Sequence, residues 1–388
     1  MKKIGAIFIL ISLVFCFTTE AFAKSGTKDE AETTNSNFTV DAKSAILIET
    51  GTGKVLFEQN ADNAASPASV TKIMTLLLAM EAIKEERVGL EDTVMISANA
   101  ASMGGSQIFL EEGETTTLKE LIKCAVIASA NDAAVAIAEY VGGSEDAFVN
   151  MMNMRAKTLG LKNTVFENVT GLDDTTTYHS SSARDISIMS SELLKYPLIS
   201  EFASLWQDTT RNGEFTLTNT NRLVRYYDGC NGLKTGYTSK AGYCISASAK
   251  RGNLELVAVI MGAETRDIRN AIAKELLDFG FANYTAYTEE ETAIEKVPVR
   301  GAAIGETTLY QGGVSFIIPK SDLKKIEKIY EIPEFINAPI KENEPCGKII
   351  YKIGEDVIYE NDLYVKETVD KMSFFDVFLK IIGKIFPI

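Results

Sequence analysis

Apolar positions recur along this chain with two different periods, and the changes of period mark its elements. In "AILIETGTGKVLFEQN" two apolar runs flank Gly51-Thr52-Gly53, which predicts a β-hairpin closed by a glycine-containing loop. From Ser69 onward Ile73, Leu76, Leu77, Met80 and Ile83 return every three or four residues. That spacing predicts an amphipathic helix with its apolar stripe on a core, capped by Ser66 or Ser69. Further helices are predicted over 118–127, 133–141, 145–159, 183–194 and 268–279, and strands over 242–249 and 254–261. A hairpin first, helices in the middle and strands again at the end predict an α+β domain over residues 39–287.

Past about residue 290 the pattern shortens to β-branched runs such as "KVPVRGAAI", "GVSFIIP" and "KIIYKIG", broken by Gly and Pro. They predict a small β-rich second domain over 288–366. In "KMSFFDVFLKIIGKIFPI", Ser373, Asp376, Lys380 and Lys384 share one helical stripe. Phe374, Phe375, Phe378, Leu379, Ile381, Ile382 and Ile385 face the other way. A spanning helix needs roughly 20 apolar residues, so residues 371–388 fit an amphipathic helix lying on a membrane surface as an anchor. At the other end, Lys2 and Lys3, an uncharged run over 4–17 and Ala21-Phe22-Ala23 form the three parts of a secretory signal peptide, 1–23. Cleavage after Ala23 would export the protein to the outer face of the cytoplasmic membrane, with the polar stretch 24–38 as a flexible linker.

Composition changes this picture little: 388 residues, 46% apolar and 24% charged, suit a globular protein. A net charge of −14 argues against nucleic acid as a partner, because a phosphate backbone demands a basic surface. Cys124, Cys230, Cys244 and Cys346 show neither disulfide-scaffold spacing nor a CxxC metal site, and read as buried free thiols. No metal or other cofactor is expected.

Chemistry concentrates in three short stretches. In "SPASVTKIMT", Ser69 and Lys72 are three residues apart, on one helix face. A hydroxyl is a poor nucleophile until a base takes its proton, and the chain has a single histidine, His179, in the loop "TTTYHSSSARD". Lysine is the other base at hand, provided burial and a nearby cation pull its pKa below roughly 10.4. A second lysine stands in "NGLKTGYTSKAGYC", where Gly236 would let a substrate backbone approach while Lys234 and Thr235 meet a carboxylate. Ser129-Ala130-Asn131 in "IASANDAA" lies between two helical patterns, and its two polar side chains can enter one cleft if the segment is a turn. His179 reads as a hydrogen-bonding loop residue and Trp206 as packing.

In this order the three motifs resemble those of penicillin-binding proteins and class A β-lactamases. The blocks "ASPASVTKIMT", "SANDAAVAIAE", "GLDDTTTYHSSSARD" and "GLKTGYTSKAGYC" resemble the D-alanyl-D-alanine carboxypeptidases, low-molecular-mass penicillin-binding proteins of serine peptidase family S11. The resemblance implies a DD-peptidase/β-lactamase-like fold, an antiparallel sheet with a helical cluster. It implies peptidoglycan stem peptides ending in D-Ala-D-Ala as substrate, with β-lactam antibiotics as inhibitors. By that resemblance Ser69 attacks the carbonyl between the two D-alanines, Lys72 accepts its proton and Ser129 relays a proton to the leaving D-alanine. Asn131 holds the substrate amide, and Lys234 and Thr235 engage the terminal carboxylate with Arg269 of "GAETRDIRN". Backbone N–H groups of Ser69 and Tyr237 form the oxyanion hole. Two other readings stand beside it: a β-lactamase, for which Glu167 in "FENVTGLDD" lacks the Glu-x-x-Leu-Asn pattern, and a non-catalytic sensor of peptidoglycan or β-lactam.

Overall fold

The computed structural model describes residues 39–174 and 176–385; the expected signal peptide and linker lie outside them. Strands β1 (Ser44–Glu49) and β2 (Val55–Gln59) form the expected hairpin. The Glu49 carboxylate closes its loop by accepting from the Gly51 and Thr52 N–H groups, at 2.8 and 2.7 Å, and from the Thr52 hydroxyl. Strands β3 (Cys230–Thr238), β4 (Gly242–Arg251) and β5 (Leu254–Ala263) join them in one antiparallel sheet of order β2-β1-β5-β4-β3. Pairing of Ser44 with Met261 through Glu49 with Leu256 joins the two ends of the domain across more than 200 residues.

Both faces of this sheet are covered, which is why β1 and β5 read as continuous apolar runs. Ile46, Ile48, Val257, Val259 and Met261 point into a core shared with the central helices. Ala45, Leu47, Leu256, Ala258 and Ile260 point to the other side, against helix α6 (Arg266–Asn283). Strand β3 is an edge, so one side of its backbone faces the groove above the helical layer.

That layer comprises α1 (Lys72–Lys84), α2 (Leu118–Ile127), α3 (Asn131–Gly142), α4 (Glu145–Thr158) and α5 (Ala183–Leu194). Helix α1 departs from the expected amphipathic helix. The other four helices pack around it, and none of Ile73, Met74, Leu76, Leu77, Leu78, Ala79 and Met80 is more than 6% exposed. A helix buried on all sides carries apolar residues all round. Nor does Ser66 or Ser69 cap it: a single 3₁₀ turn, Ala68–Thr71, leads into it, and the capping position, Thr71, makes no side-chain cap hydrogen bond.

Strand Tyr284–Glu289 straddles the expected boundary at 287/288; it pairs with Val314–Pro319 and so belongs with the β-rich half. A six-stranded sheet and a separate core around Val297, Leu309, Phe316, Ile349 and Leu363 complete that half. Helix α7 (Phe374–Ile385) follows. Its start is capped reciprocally, the Asp376 N–H donating to Ser373 Oγ and the Ser373 N–H donating to Asp376 Oδ2. Phe374, Phe375 and Phe378 are exposed, and no described helix is long and apolar enough to cross a membrane. All four described cysteines are free. Cys124 and Cys244 are buried as expected, whereas Cys230 and Cys346 are only half-buried, because they sit near the ends of strands at the margins of their cores.

Candidate active site

The centre of the site is a strained turn. Ala68 holds φ 49°, the left-handed region that L-residues avoid, and it places the next residue, Ser69, at the mouth of a cleft. One turn on, Lys72 is fully buried, its Nζ 3.0 Å from Ser69 Oγ and 2.9 Å from the Thr170 carbonyl oxygen, to which it donates. Thr170 comes from a loop that passes under the turn. Gly171 is the closest point: it has φ 82°, and a Cβ there would lie 1.8 Å from the Ala68 carbonyl oxygen. Asn168 shapes the loop by accepting from the Gly171 N–H at 2.7 Å.

His179 anchors the same loop. Its Nδ1 accepts from the Glu167 N–H at 3.0 Å, so the neutral ring carries its proton on Nε2 and donates to Thr71 Oγ1 at 2.8 Å. Burial pushes its pKa down to about 4. Both ring nitrogens are engaged, and His179 is the hydrogen-bonding loop residue expected from the sequence. Glu167 Oε2 accepts from the backbone N–H groups of Thr177, Tyr178 and His179, so this glutamate closes its own loop.

Ser129 occupies the turn between α2 and α3 at φ 62°, with Asn131 as the first residue of α3. This is the expected turn. Lys234 rises from β3 to donate to Ser129 Oγ at 2.7 Å and is 1% exposed. Asn131 donates through Nδ2 to the Gly104 carbonyl at 2.7 Å, which leaves its buried Oδ1 with no partner. Asp132, fully buried, accepts from the Ile108 and Leu110 N–H groups and so fastens the loop through 104–110 onto α3.

Two ammonium groups are thus buried near one another. Desolvation opposes the charged form of each. Lys72 is held well below its ordinary pKa, first by burial and then by Lys234, with Asp132 opposing. Lys234 falls to about 7, through burial and then through Arg269. Arg269 is buried rather than a helix-surface charge, its Nη1 donating to the Cys244 carbonyl at 3.3 Å. Thr235 donates to Thr220 Oγ1 at 2.8 Å.

Gly236 also meets a demand inside the fold. A Cβ there would lie 2.8 Å from the Pro67 carbonyl oxygen and 3.0 Å from the Ser69 nitrogen. The missing side chain therefore admits the serine turn against the strand edge.

A cleft of about 650 Å³ is lined by Ser69, Ser129, Thr235, Gly236, Tyr237 and Arg269, with Lys72, Lys234 and Asn131 beneath its wall. It is also lined by Ser106, Trp206, Thr220 and Arg222, none of which the sequence singled out for chemistry. Trp206, expected as packing, stands on the wall with the Arg225 guanidinium 5.3 Å from its ring centre. No short-range signal marks these residues, since each reaches the cleft only through sheet pairing and loop packing. Among the described residues no group of His, Cys, Asp and Glu is placed to hold a metal ion.

Residues 30–265 match the family described as D-alanyl-D-alanine carboxypeptidase, peptidase S11. The chain belongs to that family. Residues 284–371 match the C-terminal domain of penicillin-binding protein 5. Over 381 residues the chain is 42% identical to the D-alanyl-D-alanine carboxypeptidase DacF of Bacillus subtilis, covering 96% of each. Penicillin-binding protein 5 of Haemophilus influenzae superposes with TM-score 0.76 at 30% identity, over 86% of this chain and 99% of that one. Ampicillin-bound penicillin-binding protein D2 of Listeria monocytogenes superposes with TM-score 0.58 at 30% identity, over 63% of this chain and 99% of that one. As in other family members, the fold is a DD-peptidase domain followed by a β-rich domain.

Gly171→Ala forces the Ala68 carbonyl away and with it the serine turn. We expect a stability loss of about 1–3 kcal/mol or more, read as a lowered melting temperature, together with slowed labelling by a fluorescent penicillin.

Proposed function

We infer that the protein is a serine D-Ala-D-Ala carboxypeptidase that trims peptidoglycan stem peptides through an acyl-Ser69 intermediate and is acylated at the same residue by β-lactams. The observation that carries this reading is the solvent-free Lys72 amine 3.0 Å from the Ser69 hydroxyl, with its proton weakly held. As a neutral amine it takes the serine proton while Oγ attacks the carbonyl between the two D-alanines. The substrate's terminal carboxylate lies against Lys234, Thr235 and Arg269, and its arrival favours the charged form of Lys234. Ser129, 2.7 Å from Lys234, then passes a proton to the departing amine. Asn131 holds the substrate amide, which its unpartnered Oδ1 suits.

The oxyanion that forms on attack is received by the N–H groups of Ser69 and Tyr237. Gly236 supports this assignment by letting the serine turn lie against β3; each such donor is worth about 3–4 kcal/mol in the transition state. Water then cleaves the ester with Lys72 again as base. A β-lactamase would need a glutamate free to activate that water, whereas the Glu167 oxygen is engaged by three backbone N–H groups. A β-lactam adduct should therefore persist. Against a non-catalytic sensor stands the packing of Ser69, Lys72, Ser129 and Lys234 within hydrogen-bond reach as two pairs.

The exposed phenylalanines of α7, on a short helix with a capped start, support attachment to a membrane surface after export. The signal segment 1–23, cleaved after Ala23, belongs to the same reading.

Ser69→Ala should abolish labelling by fluorescent penicillin and lower D-alanine release from a D-Ala-D-Ala peptide by about a thousandfold or more; wild-type protein that labels without releasing D-alanine would point to a sensor instead. Acylation should quicken as pH rises through the pKa of Lys72. Because Lys234 is a like charge that depresses that pKa, Lys234→Met raises it, and the acidic limb of the labelling rate moves to higher pH. An unmoved limb would count against the coupling. Removing residues 373–388 should abolish co-sedimentation with anionic lipid vesicles while D-alanine release persists.

A further inference from the structure

The ten arginines of this chain sort cleanly by partner. Arg87, Arg155, Arg184, Arg211 and Arg251 are ion-paired with carboxylates. Arg225 and Arg300 lie over aromatic rings. The other three, Arg222, Arg266 and Arg269, have no carboxylate within ion-pair reach among the described residues, and all three line the one cleft. Like charges held together repel, and an anion that enters them relieves the repulsion.

Arg266 and Arg222 both lie within electrostatic reach of Arg269, and all three border the same cleft. The Arg269 pKa is pulled down to about 10, first by burial and then by Arg266, with Arg222 adding to the effect. They come from separate elements. Arg222 precedes the short helix Leu223–Tyr226, in a loop fixed by the Asn221 side chain donating to the Gly232 carbonyl at 2.7 Å. Arg266 is the first residue of α6, whose start is capped by Thr265. Both side chains are exposed at the cleft mouth, while Arg269 is buried beside Cys244.

One terminal carboxylate on Lys234, Thr235 and Arg269 leaves Arg222 and Arg266 unanswered. The residue that bears that carboxylate is the one that leaves, so cationic groups next to it border the leaving-group side. A cleft of about 650 Å³ falls in the range that holds whole small ligands, far more than one alanine requires.

We propose that Arg222 and Arg266 form a second carboxylate subsite on the leaving-group side, so that the enzyme also cleaves D-alanyl amides whose leaving amine belongs to an acidic residue or acidic peptide. This rests on the reading of Ser69 as the acylated residue. The step needs no further reactant. The Ser69 Oγ–C bond forms as the C–N bond breaks, the amine departs with the serine's proton relayed to it, and water cleaves the ester and restores the hydroxyl. Only the leaving group differs, carrying a second negative charge into the arginine pair.

The test uses the full-length mature protein and three peptides alike except at the last residue, ending in D-Ala-D-Ala, D-Ala-D-Gln and D-Ala-D-Glu. Rates are taken at about 0.5 M salt, where charges not in close contact are screened. We expect kcat/KM for the D-Glu peptide to exceed that for the isosteric D-Gln peptide by about fivefold or more. In the Arg222→Gln/Arg266→Gln double variant that ratio should fall to about one. A ratio near one in the wild type overturns the proposal, and so does a ratio that survives in the double variant. Failure of the wild type to release D-alanine from the D-Ala-D-Ala peptide would overturn the carboxypeptidase reading beneath it, and is told apart by that peptide alone.

Discussion

Two lysine amines buried within electrostatic range of each other are the constraint around which this domain is organised. Taking an ammonium out of water is expensive, and placing a second one nearby makes it more so. The fold tolerates both because each amine has fixed oxygen partners: Ser69 Oγ and the Thr170 carbonyl for Lys72, Ser129 Oγ and the Thr235 carbonyl for Lys234. The same arrangement weakens the hold of Lys72 on its proton, and that is the property a serine nucleophile needs from a neighbour. Strongly perturbed amines of this kind commonly mark functional sites.

Much of the surrounding structure keeps those partners in place. The loop that supplies Thr170 is drawn under the serine turn by Gly171, shaped by Asn168 and tied to Thr71 through His179. The strand that carries Lys234 can lie against the turn because Gly236 has no side chain. Asp173 links the two halves, accepting from Thr238 at the end of that strand and from Ser66 at the start of the turn. The strained φ angles at Ala68 and Ser129 fall at the two serines' turns, where packing from several elements over-determines the backbone.

The hairpin, the five predicted helices and the two central strands were legible because each is a local pattern of apolar spacing. Helix α1 shows where local pattern stops: its apolar positions repeat at helical spacing, but whether they form one stripe or a full circumference depends on the helices that pack against it. Ser69 likewise reads as a helix position and sits instead in a 3₁₀ turn, since only the contact with β3 and Gly171 selects that geometry. At Gly236 the absence of a side chain is visible in the sequence, but its contact with the serine turn is set only by the packing of β3.

The sequence by itself determined the three motifs, their order and the chemical type of each polar group in them, because a hydroxyl, an amine and an amide are fixed by side-chain identity. It also determined an amphipathic helix at the C-terminal end, because an amphipathic period is local; that its apolar face is exposed is a result of the structure. Only the tertiary structure decided that Lys72 and Lys234 share one interior, that Trp206, Thr220 and Arg222 reach the cleft, and that three arginines border it with no ion-paired carboxylate among the described residues. Burial and charge proximity come from residues far apart in the chain brought together by sheet register, and no window of sequence contains them.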